Sequence, residues 1–142
     1  MDAEIGRLLE RAFPGQEHRY FEAISIGNGP AMADAGAAAI LSGVKTATSS
    51  ALWDFPDGAI PFVGALSVLL DGQRRARAIV ETERIDIVPF GSVGAAFARA
   101  YGEGDQTLDW WRTAMGAWYR ASAARHGAAF SDETPIICEW IV

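Results

Sequence analysis

The chain has 142 residues, of which 50% are hydrophobic and 21% are charged. This length and composition predict one globular domain and exclude a wholly disordered protein. The net charge of −6 argues against a long, nonspecific track for nucleic acid, because proteins that bind duplexes usually present a basic surface. A small substrate or a short nucleic-acid segment held in a pocket remains open.

No feature of the sequence predicts secretion or insertion into a membrane. The single cysteine, Cys138, excludes an intramolecular disulfide. The residues after Met1 lack the basic and apolar regions of a signal peptide, and no run of apolar residues is long enough to span a bilayer. We therefore expect a cytoplasmic protein without a membrane partner.

The first third of the chain predicts two helices and then a strand. Apolar residues at helical spacing indicate a helix over residues 3–13, which ends at Pro14-Gly15. An alanine-rich segment predicts a second helix over residues 30–42, with Gly43 at its end. Residues 45–50 are rich in small polar and β-branched side chains, which indicates a turn that enters a strand.

The rest of the chain predicts mainly strands. Residues 66–70 and 76–88 are predicted strands on either side of an Asp71-Gly72 turn, as in a hairpin, and polarity alternates along the second of them. A short helix is predicted over residues 93–99, and a buried strand over residues 134–142. These elements predict an α+β fold with four or more mostly antiparallel strands and helices at one side. A small curled or closed barrel would protect the sheet edges.

A long helix is predicted from a cap at Thr107 to about His126. It carries an apolar, largely aromatic stripe at i, i+3, i+4 and i+7 spacing, which is typical of core packing. Part of the stripe could instead serve a dimer interface, so a monomer and a homodimer both stay open. The members of the stripe are Leu108, Trp111, Met115, Trp118 and Tyr119.

The only lysine of the chain, Lys45, lies in a Gly-x-Lys-Thr-x-Thr segment, whereas arginine occurs eleven times. A desolvated ammonium group can lose its proton and act as a base, which an arginine does not do. A turn between Lys45 and Thr48 would let the amine take the proton of a threonine nucleophile. The alternative is a solvated lysine beside hydroxyl groups that bind only the backbone.

Glu103 lies between two glycines in a Gly-Glu-Gly-Asp loop at residues 102–105. Flanking glycines permit close approach of backbone or ligand, so this carboxylate could act as a general acid or base, or accept from the amino group of a base. The alternative is a solvated carboxylate beside an Asp105 that caps the next helix. His18 and His126 are isolated, and no phosphate-loop, dinucleotide or serine-elbow motif occurs, so no metal or cofactor is predicted.

The segment over residues 43–53, Gly-Val-Lys-Thr-Ala-Thr-Ser-Ser-Ala-Leu-Trp, resembles the signature of the ASCH domain family. Further matches to that family lie in the same chain order. They are Ala33-Asp34, Pro61, Gly64, Leu70-Asp71-Gly72, Pro89-Phe90, residues 102–105 with Leu108, Trp111-Arg112 and residues 135–139. The resemblance covers residues 24–142 and leaves residues 1–23 as an N-terminal helical extension.

This resemblance implies a PUA-like fold, which is an α+β domain with a small, mostly antiparallel β-barrel, flanking helices and a cleft near Lys45. It also implies an RNA or nucleoside partner. Some family members resemble RNA-binding modules, some cut RNA, and one branch removes acyl groups from acylated cytidine. The lysine, threonine and glutamate that act in that branch correspond to Lys45, Thr48 and Glu103.

Two positions depart from the family pattern. Met115 replaces a histidine that the family often has, and Tyr101 replaces a glutamate that often begins the glycine-rich run. An activity that relies on either of those family residues is therefore not expected from this chain.

The leading hypothesis is a hydrolase acting on a nucleoside or a short RNA, with Lys45 as base, Thr48 as nucleophile and Glu103 as acid or base. Trp53 could stack on a base, and Arg112 could contact a phosphate or pair with a carboxylate on its own helix. A noncatalytic module that holds a nucleotide in the same cleft, or a scaffold without a ligand, are the alternatives. The candidate substrate-binding residues are Thr46, Ser49, Ser50, Trp53, Asp105 and Arg112.

Overall fold

A computed structural model describes residues 2–142, in which the chain forms four α-helices and five β-strands. The helices are α1 (Ala3–Ala12), α2 (Pro30–Leu41), α3 (Ala95–Tyr101) and α4 (Leu108–Arg125). The strands are β1 (Tyr20–Ile24), β2 (Ala47–Ala51), β3 (Leu66–Leu70), β4 (Ala76–Pro89) and β5 (Pro135–Ile141). Within these described residues, no helix is both long and apolar enough to cross a membrane.

The strands form one five-stranded sheet in the order β1-β3-β4-β5-β2. Strand β1 runs parallel to β3, and the other three pairs are antiparallel, which confirms the predicted α+β fold with mostly antiparallel strands. The long strand β4 pairs with β3 through its first half and with β5 through its second half. The outer strands β1 and β2 do not pair with each other, so the sheet is open and the closed barrel is not confirmed.

Most predicted elements lie within two residues of their observed bounds, but β1 has no counterpart among them. Its residues pair with β3, so that Glu22 lies opposite Ser67. The boundary expected between residues 23 and 24 therefore falls inside a strand. The expected N-terminal extension supplies both α1 and most of an outer strand of the sheet.

Helix α1 covers one face of the sheet near β3. The Asp2 carboxylate accepts a hydrogen bond of 2.8 Å from the Ile5 amide and so caps the first turn. Ile5 and Leu9 then pack against alternate residues of β3, which leaves the intervening side chains of this strand on the opposite face. The β3 residues under α1 are Leu66, Val68 and Leu70.

Helices α3 and α4 both pack against one face of β2 and β5. The aromatic stripe of α4 forms the centre of this core, with Trp111 fully buried and stacked on Phe90 at a ring-centroid distance of 5.3 Å. Core packing is thus confirmed for the buried members of the stripe, Trp111, Met115 and Tyr119, which pack with Ala47, Ala51, Ile136 and Cys138. Because strand residues alternate, the intervening side chains point away from this core.

Candidate functional site

A cavity of about 280 Å³ lies between the outer strands β1 and β2, where the sheet does not close. We name it the seam cavity. Residues of β1 and the following loop line one side, residues 48–50 of β2 line the other, and the second half of α4 completes it. Ligand pockets usually measure about 300–1,000 Å³, so the seam cavity matches a small ligand and not a polymer.

Lys45 lies at the start of the segment that leads into β2, and its side chain is buried. Its Nζ atom lies 2.8 Å from Oε2 of Glu103, donates to the Tyr101 carbonyl at 3.0 Å, and lies 3.4 Å from the centroid of the Tyr101 ring. These contacts exclude the alternative of a solvated surface lysine. They bring the lone lysine to the glycine-rich loop, as the functional hypothesis requires.

The protonation of Lys45 is shifted by its surroundings. Burial lowers the pKa of Lys45 to about 8, because desolvation penalises the ammonium form, while the Glu103 carboxylate acts in the opposite direction. The amine is therefore mostly protonated at pH 7. A large fraction is neutral near pH 8, where it can accept a proton.

The two glycines around Glu103 hold its loop against Lys45. Gly102 has a φ of +68°, and a Cβ atom there would lie 2.6 Å from the Lys45 Cα and would collide with the Val44 carbonyl. A Cβ atom on Gly104 would collide with the Trp110 ring. Both positions therefore require glycine. The Glu103 side chain is 24% exposed and lines the seam cavity.

Thr48, Ser49 and Ser50 line the seam cavity with Glu103, and their role in binding a substrate stays a prediction. The Ser49 hydroxyl forms a hydrogen bond of 2.6 Å with the Tyr119 hydroxyl, so it is tied to α4. The Ser50 Oγ atom is buried without a hydrogen-bond partner among the described residues. Lys45 does not itself line the seam cavity, and no hydrogen bond joins the Thr48 hydroxyl to Lys45 or Glu103. The fold therefore brings Thr48 and Glu103 to one cavity, with Lys45 buried behind Glu103 and without direct contact to Thr48.

Two of the candidate binding residues near β2 lie outside the seam cavity. Thr46 is exposed, and its hydroxyl contacts the Ala100 carbonyl at 3.4 Å. The Trp53 indole donates to the Ser122 hydroxyl at 2.9 Å, and its ring packs beside Tyr119. The Trp53 ring is thus held in the core that α4 forms, and a role in base stacking stays a prediction.

The candidates near the start of α4 also lie outside the seam cavity. The Asp105 carboxylate accepts from both the amide and the hydroxyl of Thr107, while Thr107 itself caps α4. The Arg112 guanidinium donates to the Gly91 carbonyl at 3.3 Å. A ligand contact for either side chain stays a prediction.

Thr48 and Ser50, which sequence reasoning named, belong to a larger set of polar strand residues whose other members it missed, and which we name the polar belt. Every strand contributes to it, and all of its members line the seam cavity. Thr48 lies opposite Glu139 in the β2–β5 register, and the Thr82 hydroxyl donates to Glu139 Oε2 at 2.9 Å. The members are Glu22, Thr48, Ser50, Ser67, Thr82 and Glu139. The one sequence signal was a glutamate or serine inside an otherwise apolar strand.

The two carboxyl groups of the polar belt bind protons more tightly than ordinary carboxylates. Burial raises the pKa of Glu22 to about 7, and the nearby charges of Glu139 and Asp54 add to this effect. Burial also raises the pKa of Glu139, against the hydrogen bond from Thr82. Among residues 2–142, no three His, Cys, Asp or Glu side chains are grouped so that they could hold a metal ion.

Comparison with known proteins identifies the family of the chain. The family model described as "ASCH domain" matches residues 22–141. The chain belongs to the ASCH domain family. The match begins at residue 22, inside β1, and includes Lys45, Thr48 and Glu103.

Two solved structures share the fold of this ASCH chain. One is the ASCH domain from Lactobacillus crispatus JV V101, with a TM-score of 0.84 and 23% identity over 96% of this chain and 89% of that one. The other is protein EF3133 from Enterococcus faecalis V583, with a TM-score of 0.83 and 24% identity over 96% of this chain and 83% of that one. At these identities the likeness shows a shared fold alone. No curated protein matches the chain.

Proposed function

We propose that this ASCH-domain protein is a hydrolase that removes an acyl group from a nucleoside, either free or within a short RNA. The observation that carries the proposal is the buried Lys45–Glu103 pair, whose carboxylate lines the same cavity as the Thr48 hydroxyl. A base of lowered pKa beside a hydroxyl group is the arrangement that activates an oxygen nucleophile. The resemblance to the family branch that deacylates cytidine agrees with this assignment.

In the proposed reaction, Thr48 Oγ1 attacks the carbonyl carbon of the acyl group, and the neutral Lys45 amine accepts the threonine proton. The bond from the carbonyl carbon to the nucleoside nitrogen then breaks. Glu103, which contacts the Lys45 amine at 2.8 Å, relays the proton to the leaving nitrogen. Water next attacks the acyl-threonine ester and gives a proton to Lys45. Lys45 passes that proton to Thr48 Oγ1 as the ester bond breaks, which releases the carboxylic acid and restores both the threonine hydroxyl and the neutral amine.

The seam cavity limits the size of the substrate. Its volume of about 280 Å³ lies at the lower end of the range for ligand pockets, which suits one nucleoside unit. The net charge of −6 also favours a small ligand over a polymer, because an acidic surface does not attract a long phosphate backbone.

The test is hydrolysis of acylated cytidine and other acylated nucleosides by the purified protein, with rates measured from pH 6 to pH 9. We expect the rate to rise with pH through about 8, because only the neutral Lys45 amine accepts a proton. Lys45→Ala, Thr48→Ala and Glu103→Gln should each reduce the rate by about 100-fold or more. Thr113→Ala, on the exposed side of α4, is the matched control. Full activity in Lys45→Ala would overturn this mechanism.

A noncatalytic nucleoside-binding module is the second candidate, and one observation favours it. The Lys45 ammonium already contacts the Tyr101 carbonyl, the Tyr101 ring and Glu103, and no hydrogen bond links it to Thr48. A module of this kind would raise the melting temperature when nucleoside is added and would form no product. Its affinity for a nucleotide would also weaken with salt in proportion to the phosphate contacts made.

A further inference from the structure

The polar belt offers a ligand only oxygen atoms, from hydroxyl and carboxyl groups of all five strands. Two of the hydroxyls lack partners. Ser67 is only 8% exposed and its hydroxyl makes no hydrogen bond to a residue that the structure describes, and Ser50 Oγ is buried without one. A buried polar atom without a partner costs about 1–3 kcal/mol, so these hydroxyls favour a polar ligand at this end of the cavity.

The charges around the polar belt favour hydrogen-bond donors on that ligand. Glu22 forms no ion pair with another described residue, and Glu139 accepts only from Thr82. Lys45 is already held by Glu103 and does not line the cavity, and the lining cation Arg125 lies at the end of α4 rather than on the sheet. A ligand that brings N–H groups would therefore satisfy these carboxyl oxygens, whereas a carbonyl or a phosphate would face them with a second acceptor.

We propose that the polar belt recognises the exocyclic amino group of a heterocyclic base, with the carboxyl oxygens of Glu22 and Glu139 accepting its N–H bonds. This inference rests on the proposed function, which places a nucleoside in the seam cavity, and it specifies which bases are accepted. The acylated nitrogen of the substrate offers one N–H to these oxygens, and the amino group freed by hydrolysis offers two. Replacing the amino group by an oxo group at the same ring position turns two donors into an acceptor. The oxo oxygen of the base then faces the carboxyl oxygens of the polar belt, which repel it and are left without a hydrogen-bond donor.

The preference of the polar belt for amino over oxo groups depends on pH, because it depends on the protonation of Glu22. As a neutral acid, Glu22 has an O–H donor beside its carbonyl and can bind either an amino or an oxo group. As a carboxylate it only accepts, so the preference for amino groups strengthens as the pH rises through about 7. The titratable and charged groups that face it across the cavity are Glu139 on β5, Asp54 after β2, Glu103 before α4, and Arg125 and His126 at the end of α4.

Calorimetric binding of free nucleosides to the full chain tests this inference. Cytidine with uridine, and adenosine with inosine, are matched pairs in which one amino group becomes an oxo group. At pH 8 the amino member should bind about tenfold tighter or more, which corresponds to about 1.4 kcal/mol, and the ratio should shrink at pH 6. The Glu22→Gln side chain keeps its size but can donate an N–H to an oxo group. It should reduce the ratio at pH 8 and flatten its change with pH.

Glu83→Gln, at an exposed position of β4, is the control and should keep the ratio and pH dependence of the unmodified chain. Equal binding within both pairs, or an unchanged ratio and pH dependence in Glu22→Gln, would overturn the inference. Free nucleosides carry no acyl group, so this test does not depend on turnover. Selective binding without hydrolysis would keep this inference and overturn the hydrolase, and hydrolysis without selectivity would do the reverse. Failure of all four nucleosides to bind would overturn this inference, whereas the hydrolase is decided by turnover of acylated nucleosides.

Discussion

Glu103 and Glu22 line the same cavity, but the charges beside them have opposite signs. Glu103 lies 2.8 Å from a buried ammonium group, whereas the nearest charges on Glu22 are those of two other carboxyl groups, Glu139 and Asp54. A buried charge is costly unless it is paired, so the two glutamates respond differently to the same environment. The first is held by a cation, and the second retains its proton to about pH 7.

This difference separates two tasks within one cavity. At the end of the cavity where Glu103 contacts Lys45, which we call the paired end, charges are balanced within the protein. This suits groups that must move protons during a reaction. At the end that holds Glu22, which we call the unpaired end, the charge of the carboxyl group is left for a ligand to balance, which suits recognition. Substitutions that alter one end but not the other can therefore test the separation.

The largest expected effect is at the paired end. Lys45→Met keeps most of the side-chain volume but leaves the Glu103 carboxylate and the Tyr101 carbonyl without their shared donor. We expect the free energy of unfolding to fall by about 3 kcal/mol, as measured by urea denaturation. Arg99→Met, which removes an exposed cation on α3, should change it by less than about 0.5 kcal/mol. Equal stability of these two variants would show that the Lys45 ion pair contributes nothing.

A smaller effect is expected where the glycine-rich loop meets Lys45. Gly102→Ala places a side chain at a φ of +68° and drives a Cβ atom into the Val44 carbonyl, so unfolding should become easier by about 2 kcal/mol. Gly43→Ala is the matched control, since Gly43 has a φ of +83° but no atom within 4 Å of the added Cβ. It should lose only about 1 kcal/mol, the cost of the backbone conformation. Equal losses would mean that the close approach of the loop has no energetic role.

Local pattern was sufficient to predict α4 and its role. The cap at Thr107 accepts from the Trp110 amide at 3.1 Å, and the spacing of Trp111, Met115 and Tyr119 determines the buried face of the helix. These features need only residues of one helix, so the sequence displays them directly. Lys45 and Glu103 could also be singled out, because one is the only lysine and the other lies between glycines that close packing requires.

Thr48 and Ser50 were predicted as site residues, but the rest of the polar belt could not be, because its environment is created by distant pairing. Glu22 lies in a five-residue strand whose partner, β3, begins at Leu66, and the parallel register between them has no local sequence signal. A glutamate in such a short segment indicates a solvent-facing side chain. Similarly, Thr82 and Glu139, which are in contact, lie 57 residues apart in the chain. Only the assembled sheet reveals that these side chains share a cavity.

The smallest effect, and the only one of opposite sign, is expected at the unpaired end. The pKa of Glu22 rises from its ordinary value of 4.5 to about 7 on folding, so the folded chain holds this proton more tightly than the unfolded chain does. Stability is therefore lost as the pH rises from about 4.5 to about 7, and stays lower above that range. Glu22→Gln removes the titration and should stabilise the protein at pH 8 by about 1 kcal/mol, allowing for partial solvent exposure.

The pH series separates this electrostatic effect from a change in packing. At pH 4 both the folded and the unfolded chain carry a mostly neutral Glu22, so the gain from Glu22→Gln should nearly vanish there. Urea denaturation at pH 4, 6 and 8 measures the trend, with Glu83→Gln as the exposed control. A gain of the same size at every pH would assign the effect to packing. A loss of stability at pH 8 would contradict the contrast between Glu22 and Glu103, because Glu22 would then have a partner that stabilises its charge.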